Sequence, residues 1–232
     1  DVIPHVVLVD FEKREKKSKK FVFPKKCPCG FDTIKEFNKV TKKYDAVRRC
    51  PDRGFECEKI AVEKIKHFIS KEALNIDGLG KKVVENFWNL KLIRFPQDIF
   101  KLDYAKISKL EGWGDLSVSN LKYSIDQSKK VSLDRFLYSI GIRHIGIENA
   151  KLLAEYTKSI TNFLNLIKNK RVNEFLNIDG IGETQINSLK KFFENKSNYK
   201  IIEKLSLILN ISDLKLNKDG KLLNNTFISL KI

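Results

Sequence analysis

The feature that most constrains this chain is a five-residue pattern that recurs. Ile76-Asp77-Gly78-Leu79-Gly80, Leu110-Glu111-Gly112-Trp113-Gly114 and Ile178-Asp179-Gly180-Ile181-Gly182 share the form apolar, acidic, Gly, apolar, Gly. A degenerate copy, Ile142-Arg143-His144-Ile145-Gly146, has His144 at the first glycine position. The closing glycines Gly80, Gly114, Gly146 and Gly182 are 34, 32 and 36 residues apart, a period that signals an array of supersecondary units. Four residues after each comes Val84, Val118, Ala150 or Ile186, and three later Phe87, Leu121, Leu153 or Leu189. Those offsets put both apolar residues on one face of a helix that begins just after the closing glycine. Each unit therefore reads helix, tight glycine hairpin, helix. The expected fold is mainly α, with four such units in one bundle over residues 61–210.

Two glycines around one apolar residue allow φ > 0 and remove the Cβ atoms that would block close approach. The N–H groups of the turn and of the new helix then point outward together at the positive end of the helix dipole, which makes an anion site. The middle residues, Leu79, Trp113, Ile145 and Ile181, are expected to turn inward. The pattern resembles the helix-hairpin-helix motif, and that likeness implies a grip on nucleic-acid phosphate without base reading. The candidate DNA-contacting residues are Gly78, Gly80, Gly112, Gly114, Gly146, Gly180 and Gly182, with Lys81, Lys82, Arg143, His144 and Thr184 at the turns or first helical turns. Lysines at a helix start oppose the dipole, a local conflict that a seated anion would resolve. Arg143 offers a fixed cation able to hydrogen-bond phosphate. The competing reading is a helical repeat with ordinary glycine turns and a solvated lysine surface.

The formal net charge of +16, with a pI near 9.6, favours polyanion partners. Much of it is lysine in a chain also rich in Ile and Asn, a bias that an AT-rich genome produces without function. No run of 18 apolar residues and no signal peptide is present, so a soluble, cytoplasmic protein is expected. The chain begins at Asp1 in what reads as the middle of a strand, as a fragment of a longer protein would.

All four cysteines, Cys27, Cys29, Cys50 and Cys57, fall within one short segment. In a reducing compartment such clustering favours a tetrahedral Zn²⁺ site over disulfides. The ion would replace the core that so short a lobe lacks. The spacing is irregular, with Cys27-Pro28-Cys29 in place of a two-residue gap and six residues between Cys50 and Cys57. Four reduced structural cysteines, or a lobe that formerly bound zinc, fit the same residues. Before the cluster, Val6 to Val9 reads as a buried strand, Lys13 to Lys20 as a charged loop, and Phe21-Val22-Phe23 as an extended piece. His67 reads as a packing or capping residue, and Ser132 as the cap of a helix carrying Leu133, Phe136 and Leu137.

Taken together, Asp1-Val2-Ile3-Pro4, Phe23-Pro24, Cys27-Pro28, the four cysteines, His67-Phe68-Ile69-Ser70, the first hairpin, Phe136 to Arg143, Gly180-Ile181-Gly182 and Phe192-Phe193 resemble the C-terminal half of bacterial NAD-dependent DNA ligases. The resemblance implies a β remnant of an oligonucleotide-binding (OB) barrel over residues 1–23. A four-cysteine zinc finger over 24–60 and a helix-hairpin-helix domain over 61–210 would follow, and then a linker with the start of a BRCT domain over 211–232. It implies a monomeric partner of nicked double-stranded DNA, associated with the nucleoid, in an enzyme that seals nicks during replication and repair. NAD and Mg²⁺ would be bound outside this chain, and Zn²⁺ within it by the four cysteines. That family's adenylated lysine lies in a Lys-x-Asp-Gly motif, which this chain lacks, so no catalytic residue is assigned and the chain alone is expected to be inactive. The alternative is a stand-alone helix-hairpin-helix accessory module of a repair or recombination protein.

Overall fold

The computed structural model describes His5 and residues 7–38, 42–51 and 54–213. The chain divides into two compact units, Asp1–Pro51 and Asp52–Ile232.

In the first unit, Phe37–Asn38 (β1) and Lys43–Tyr44 (β2) form a short antiparallel ribbon with Phe37 opposite Tyr44. Isolated bridges pair Lys26 with Asp32 and Ile34 with Arg49. The Thr33 hydroxyl donates to the carbonyls of Pro24 and Lys25 and accepts from Arg48 Nε. Polar bonds of this kind hold a segment with almost no buried apolar side chain. The expected strand at Val6 to Val9 departs from this structure: Val6 lies outside the described residues, Val7 and Leu8 are 93% and 82% exposed, and no described residue up to 23 is in a strand. An apolar extended run becomes β structure only when another strand takes up its amides and carbonyls, and among the described residues none does. The reading of residues 211–232 falls outside the described residues after Asp213.

The second unit is helical. Its elements are α1 (Glu58–Phe68), α2 (Lys81–Asn89), a 3-10 helix Pro96–Lys101, α3 (Tyr104–Ile107), α4 (Asp115–Ser128) and α5 (Leu133–Ser139). There follow α6 (Ile147–Thr157), α7 (Ile160–Lys168), a second 3-10 helix Val172–Asn177, α8 (Glu183–Glu194) and α9 (Lys196–Ile208). Lys130–Ser132 (β3) pairs in parallel with Asn210–Ser212 (β4), Val131 opposite Ile211, so the chain segment after α9 is tied back to the middle of the unit.

Local chemistry explains several boundaries. The Asp98 carboxylate accepts from the amides of Arg94 (2.9 Å) and Phe95 (2.8 Å), fixing the turn ahead of Pro96. Asp103, Ser159 and Asn195 cap α3, α7 and α9 through their side-chain oxygens, contacts worth about 0.5–2 kcal/mol each. Ser132 does stand at the N-cap of α5, yet its hydroxyl makes no cap bond. The predicted helical faces are the buried ones: Val84, Phe87, Leu121, Ala150, Leu153, Ile186 and Leu189 are all within 1% of fully buried, and Val118 is half-buried. Phe68, Phe136, Phe163 and Phe175 fill the largest volumes between them. Burial of each such side chain contributes about 1.5–3 kcal/mol.

Candidate nucleic-acid interface and cysteine cluster

All four hairpins form, and all sit at the surface. Each closing glycine is the N-cap residue of the helix that follows: Gly80 of α2, Gly114 of α4, Gly146 of α6 and Gly182 of α8. The closing glycines and Gly78, Gly112 and Gly180 are exposed. The middle residues do the anchoring. Leu79, Ile145 and Ile181 are buried, and Trp113 is half-buried with its ring 5.5 Å from that of Phe87.

The two glycines of a hairpin are there for different reasons. Gly78, Gly112 and Gly180 have φ of +80°, +80° and +90°, where a side chain is strained. His144 occupies the same conformation at φ +63°. Its Nδ1 lies 2.9 Å from the Ser188 hydroxyl of α8, and its carbonyl accepts from Asn149 Nδ2, which offsets part of the cost of a left-handed non-glycine residue. The closing glycines have ordinary negative φ, between −70° and −118°. A Cβ built on Gly80, Gly114 or Gly146 meets nothing within 4 Å, and on Gly182 only Gln185 Oε1 at 3.6 Å. Neither the backbone nor the packing demands glycine at these four positions. Serine or aspartate would also cap the helix better.

The hairpins are arranged in two pairs. Gly78 of the first lies against Leu121 of α4, while Trp113 of the second lies against Phe87 of α2. Gly180 of the fourth lies against Leu152 of α6, with 3.1 Å from the built Cβ to Leu152 Cδ1, while His144 of the third meets Ser188 of α8. Each hairpin thus docks on the helix its neighbour initiates. Lys66 of α1 donates to Glu63 (2.6 Å) and to Glu85 of α2 (2.7 Å). The hydrogen bond from Lys66 holds the Glu85 carboxyl below the usual carboxylate range, and Glu63 and then Glu85 raise the Lys66 ammonium.

Two residues connect the hairpin pairs, and one of them, Arg135, has no counterpart in the sequence reading. Arg135 of α5 donates to the carbonyls of Ala73 (2.8 Å) and Lys71 (2.6 Å), in the segment leading to the first hairpin. His67 packs as expected: Nε2 is 2.8 Å from the Tyr138 carbonyl, and its ring lies edge-on to Tyr138. Of the predicted contact residues, Lys81, Lys82, Arg143, His144 and Thr184 are all exposed. Gln185, by contrast, turns back on its own hairpin, accepting from the Gly182 amide at 3.2 Å. Among the described residues, no helix is long and apolar enough to cross a membrane.

The sulfur atoms of Cys27, Cys29, Cys50 and Cys57 all lie within 4.8 Å of one another. Cys27 and Cys29 are brought round by a tight turn in which the Gly30 amide donates to the Cys27 carbonyl and the Cys27 amide to Phe31. Gly30, at φ +93°, allows that turn. Cys29 Sγ and Cys50 Sγ are 3.7 Å apart. A disulfide needs about 2.05 Å, whereas tetrahedral Zn–S bonds of about 2.3 Å set sulfurs about 3.8 Å apart. The donor set therefore suits a tetrahedral soft metal ion, and the one-residue gap between Cys27 and Cys29 does not prevent convergence.

Comparison with known proteins places this geometry. Residues 135–202 match the helix-hairpin-helix motif family. A protein of Pelagibacter ubique (strain HTCC1062) named DNA ligase is 62% identical over 230 residues, which is 98% of this chain and 34% of that protein. The DNA ligase of Wolbachia pipientis subsp. Culex pipiens (strain wPip) is 42% identical over 98% of this chain and 34% of its own length. That of Parvibaculum lavamentivorans is 41% identical over 88% of this chain and 30% of its own. The chain is thus homologous to a segment of the DNA ligases and spans about a third of their length.

Proposed function

We propose that this ligase-homologous chain is the DNA-gripping C-terminal part of an NAD-dependent DNA ligase that seals nicks in duplex DNA. The observation that carries the reading is the closing glycines. Four helices start on a residue whose missing side chain serves nothing inside the protein, at the places where helix N-termini favour a phosphate oxygen. A phosphate arriving within a Cβ radius supplies the reason. Gly78, Gly112 and Gly180 shape the turns. Lys81, Lys82, Arg143, His144 and Thr184 add polar contacts around the amides, so that backbone and charge position the duplex without base readout. The match to ligases covers the cysteine-bearing unit as well as the hairpins, which favours this reading over a stand-alone hairpin module.

Residues 24–60 are assigned as a zinc finger, with Cys27, Cys29, Cys50 and Cys57 as ligands. Bound Zn²⁺ would neutralise the thiolates and cross-link a lobe too small for a hydrophobic core. Residues 1–23 are assigned to the end of an OB domain, 61–210 to the DNA-binding helical domain and 211–232 to a linker and BRCT start. NAD and Mg²⁺ belong to the rest of the parent enzyme, and the chain acts as a monomer in the nucleoid-bearing cytoplasm.

The test is equilibrium binding to a labelled nicked duplex over a salt series. With one phosphate neutralised at each hairpin, log K falls against log[salt] with a slope of about −3 to −4. Binding that ignores salt, or no binding at all, overturns the proposal.

A further inference from the structure

We infer that the four hairpins do not share the phosphate load equally: the first and third, one from each pair, hold a nucleic-acid phosphate tightly, and the second and fourth hold theirs weakly. This rests on the DNA-binding reading above and deepens it. Two independent observations fall on the same two hairpins.

The first is what already occupies the closing amide. In the second hairpin the Gly114 amide donates to the Ser117 hydroxyl at 2.9 Å. In the fourth, the Gly182 amide donates to Gln185 Oε1 at 3.2 Å. A phosphate oxygen must displace those groups, so its gain is the difference between two hydrogen bonds. At the starts of α2 and α6 no third-position side chain reaches back to the closing amide in the way Ser117 and Gln185 do at α4 and α8. There the gain is the whole charge-assisted bond, since the alternative partner is water.

The second observation is charge. Between the residue before the first glycine position and the third helical residue, the second hairpin carries Glu111 and Asp115 and no cation. The fourth carries Asp179 and Glu183 and no cation. The first carries Asp77 against Lys81 and Lys82, and the third carries Glu148 against Arg143, with His144 beside it. Two carboxylates with no cation within a turn of the anion site repel phosphate, whereas Lys81 and Lys82 outweigh Asp77 in the first hairpin and Arg143 balances Glu148 in the third. Each pair therefore joins one open, cation-bearing hairpin to one self-capped, acidic hairpin that serves mainly as its brace.

The experiment uses the full chain and fluorescence anisotropy on a labelled nicked duplex. The variants G80A, G114A, G146A and G182A each have room for the added methyl and an ordinary φ, and thermal melts confirm that each is folded. G80A and G146A are expected to weaken binding by about tenfold or more, the loss of a charge-assisted hydrogen bond. G114A and G182A should weaken it less than about threefold. S117A and Q185A uncap their amides and should tighten binding by about two- to threefold, a gain that a merely structural role for these side chains does not produce. Equal losses at all four glycines, larger losses at Gly114 and Gly182, or unchanged or weaker binding by S117A and Q185A overturns the inequality while leaving the DNA reading intact. Failure of the unmodified chain to bind DNA in a salt-sensitive way overturns the reading beneath it instead.

Discussion

The division of labour between the two glycines of one hairpin gives a sharp stability prediction, best posed as Gly180→Ala against Gly182→Ala. At Gly180, φ is +90° and the new Cβ meets Leu152 Cδ1 at 3.1 Å. Holding an L-residue in that region costs about 1–2 kcal/mol, and the close approach adds a few tenths more unless Leu152 moves; together this is about 1–3 kcal/mol. For a chain of this size about 1 kcal/mol lowers Tm by about 2–4 °C, so Gly180→Ala should melt about 2–12 °C below the parent. At Gly182 the backbone is ordinary and the nearest atom is 3.6 Å away. There the loss of chain entropy in the unfolded state offsets the poorer N-cap, and the stability change should stay within about 1 kcal/mol. Circular dichroism at 222 nm during thermal and urea unfolding of both variants measures the contrast. Equal destabilisation by the two substitutions would show that the fold itself needs both glycines, and the case for an external anion at the closing position would collapse. A neutral Gly180→Ala would refute the backbone half of the reasoning.

Other outcomes are open to measurement. Purified chain should contain about one zinc per molecule, with thiols slow toward a disulfide reagent until a chelator is added; four freely reactive thiols in untreated protein would rule this out. Arg135→Gln removes the fork that binds the Lys71 and Ala73 carbonyls and should destabilise by about 1–3 kcal/mol in urea unfolding, with Arg135→Lys recovering only part; no loss would show that these bonds contribute nothing net. Because Lys66 holds the Glu85 carboxyl below its ordinary value, that carboxylate stabilises the fold above its unfolded pKa and ceases to as pH falls through its lower folded value. Glu85→Gln should therefore melt below the parent at neutral pH and alongside it in strong acid, and a gap that persists in acid would contradict the pairing.

Much of the helical unit is legible in the sequence. Helix starts, buried faces and turn positions depend on residues within one or two turns of each other, so spacing alone places Val84, Phe87, Ala150, Leu153, Ile186 and Leu189 in the core. The same locality explains the clustering of the cysteines, four soft ligands in a short segment, whereas the partner that His67 packs on, Tyr138 of α5, is distant in sequence. Two local expectations did not hold in form. The apolar run ending at Val9 lacks strand partners among the described residues, and the Ser132 hydroxyl is not a cap although the residue stands at the helix start.

What tertiary structure alone decided are relations between distant segments, for which no sequence period exists. The reciprocal docking of hairpins in pairs depends on which helix each turn meets: Gly78 on Leu121, Gly180 on Leu152, His144 on Ser188. The parallel ladder of Lys130–Ser132 with Asn210–Ser212 and the fork of Arg135 depend on chain closure over scores of residues. The sulfur positions that suit a tetrahedral ion despite Cys-x-Cys spacing depend on how the Gly30 turn bends. Periodicity is a property of neighbours along the chain, whereas pairing is settled by the free energy of filling space between elements that sequence distance does not relate.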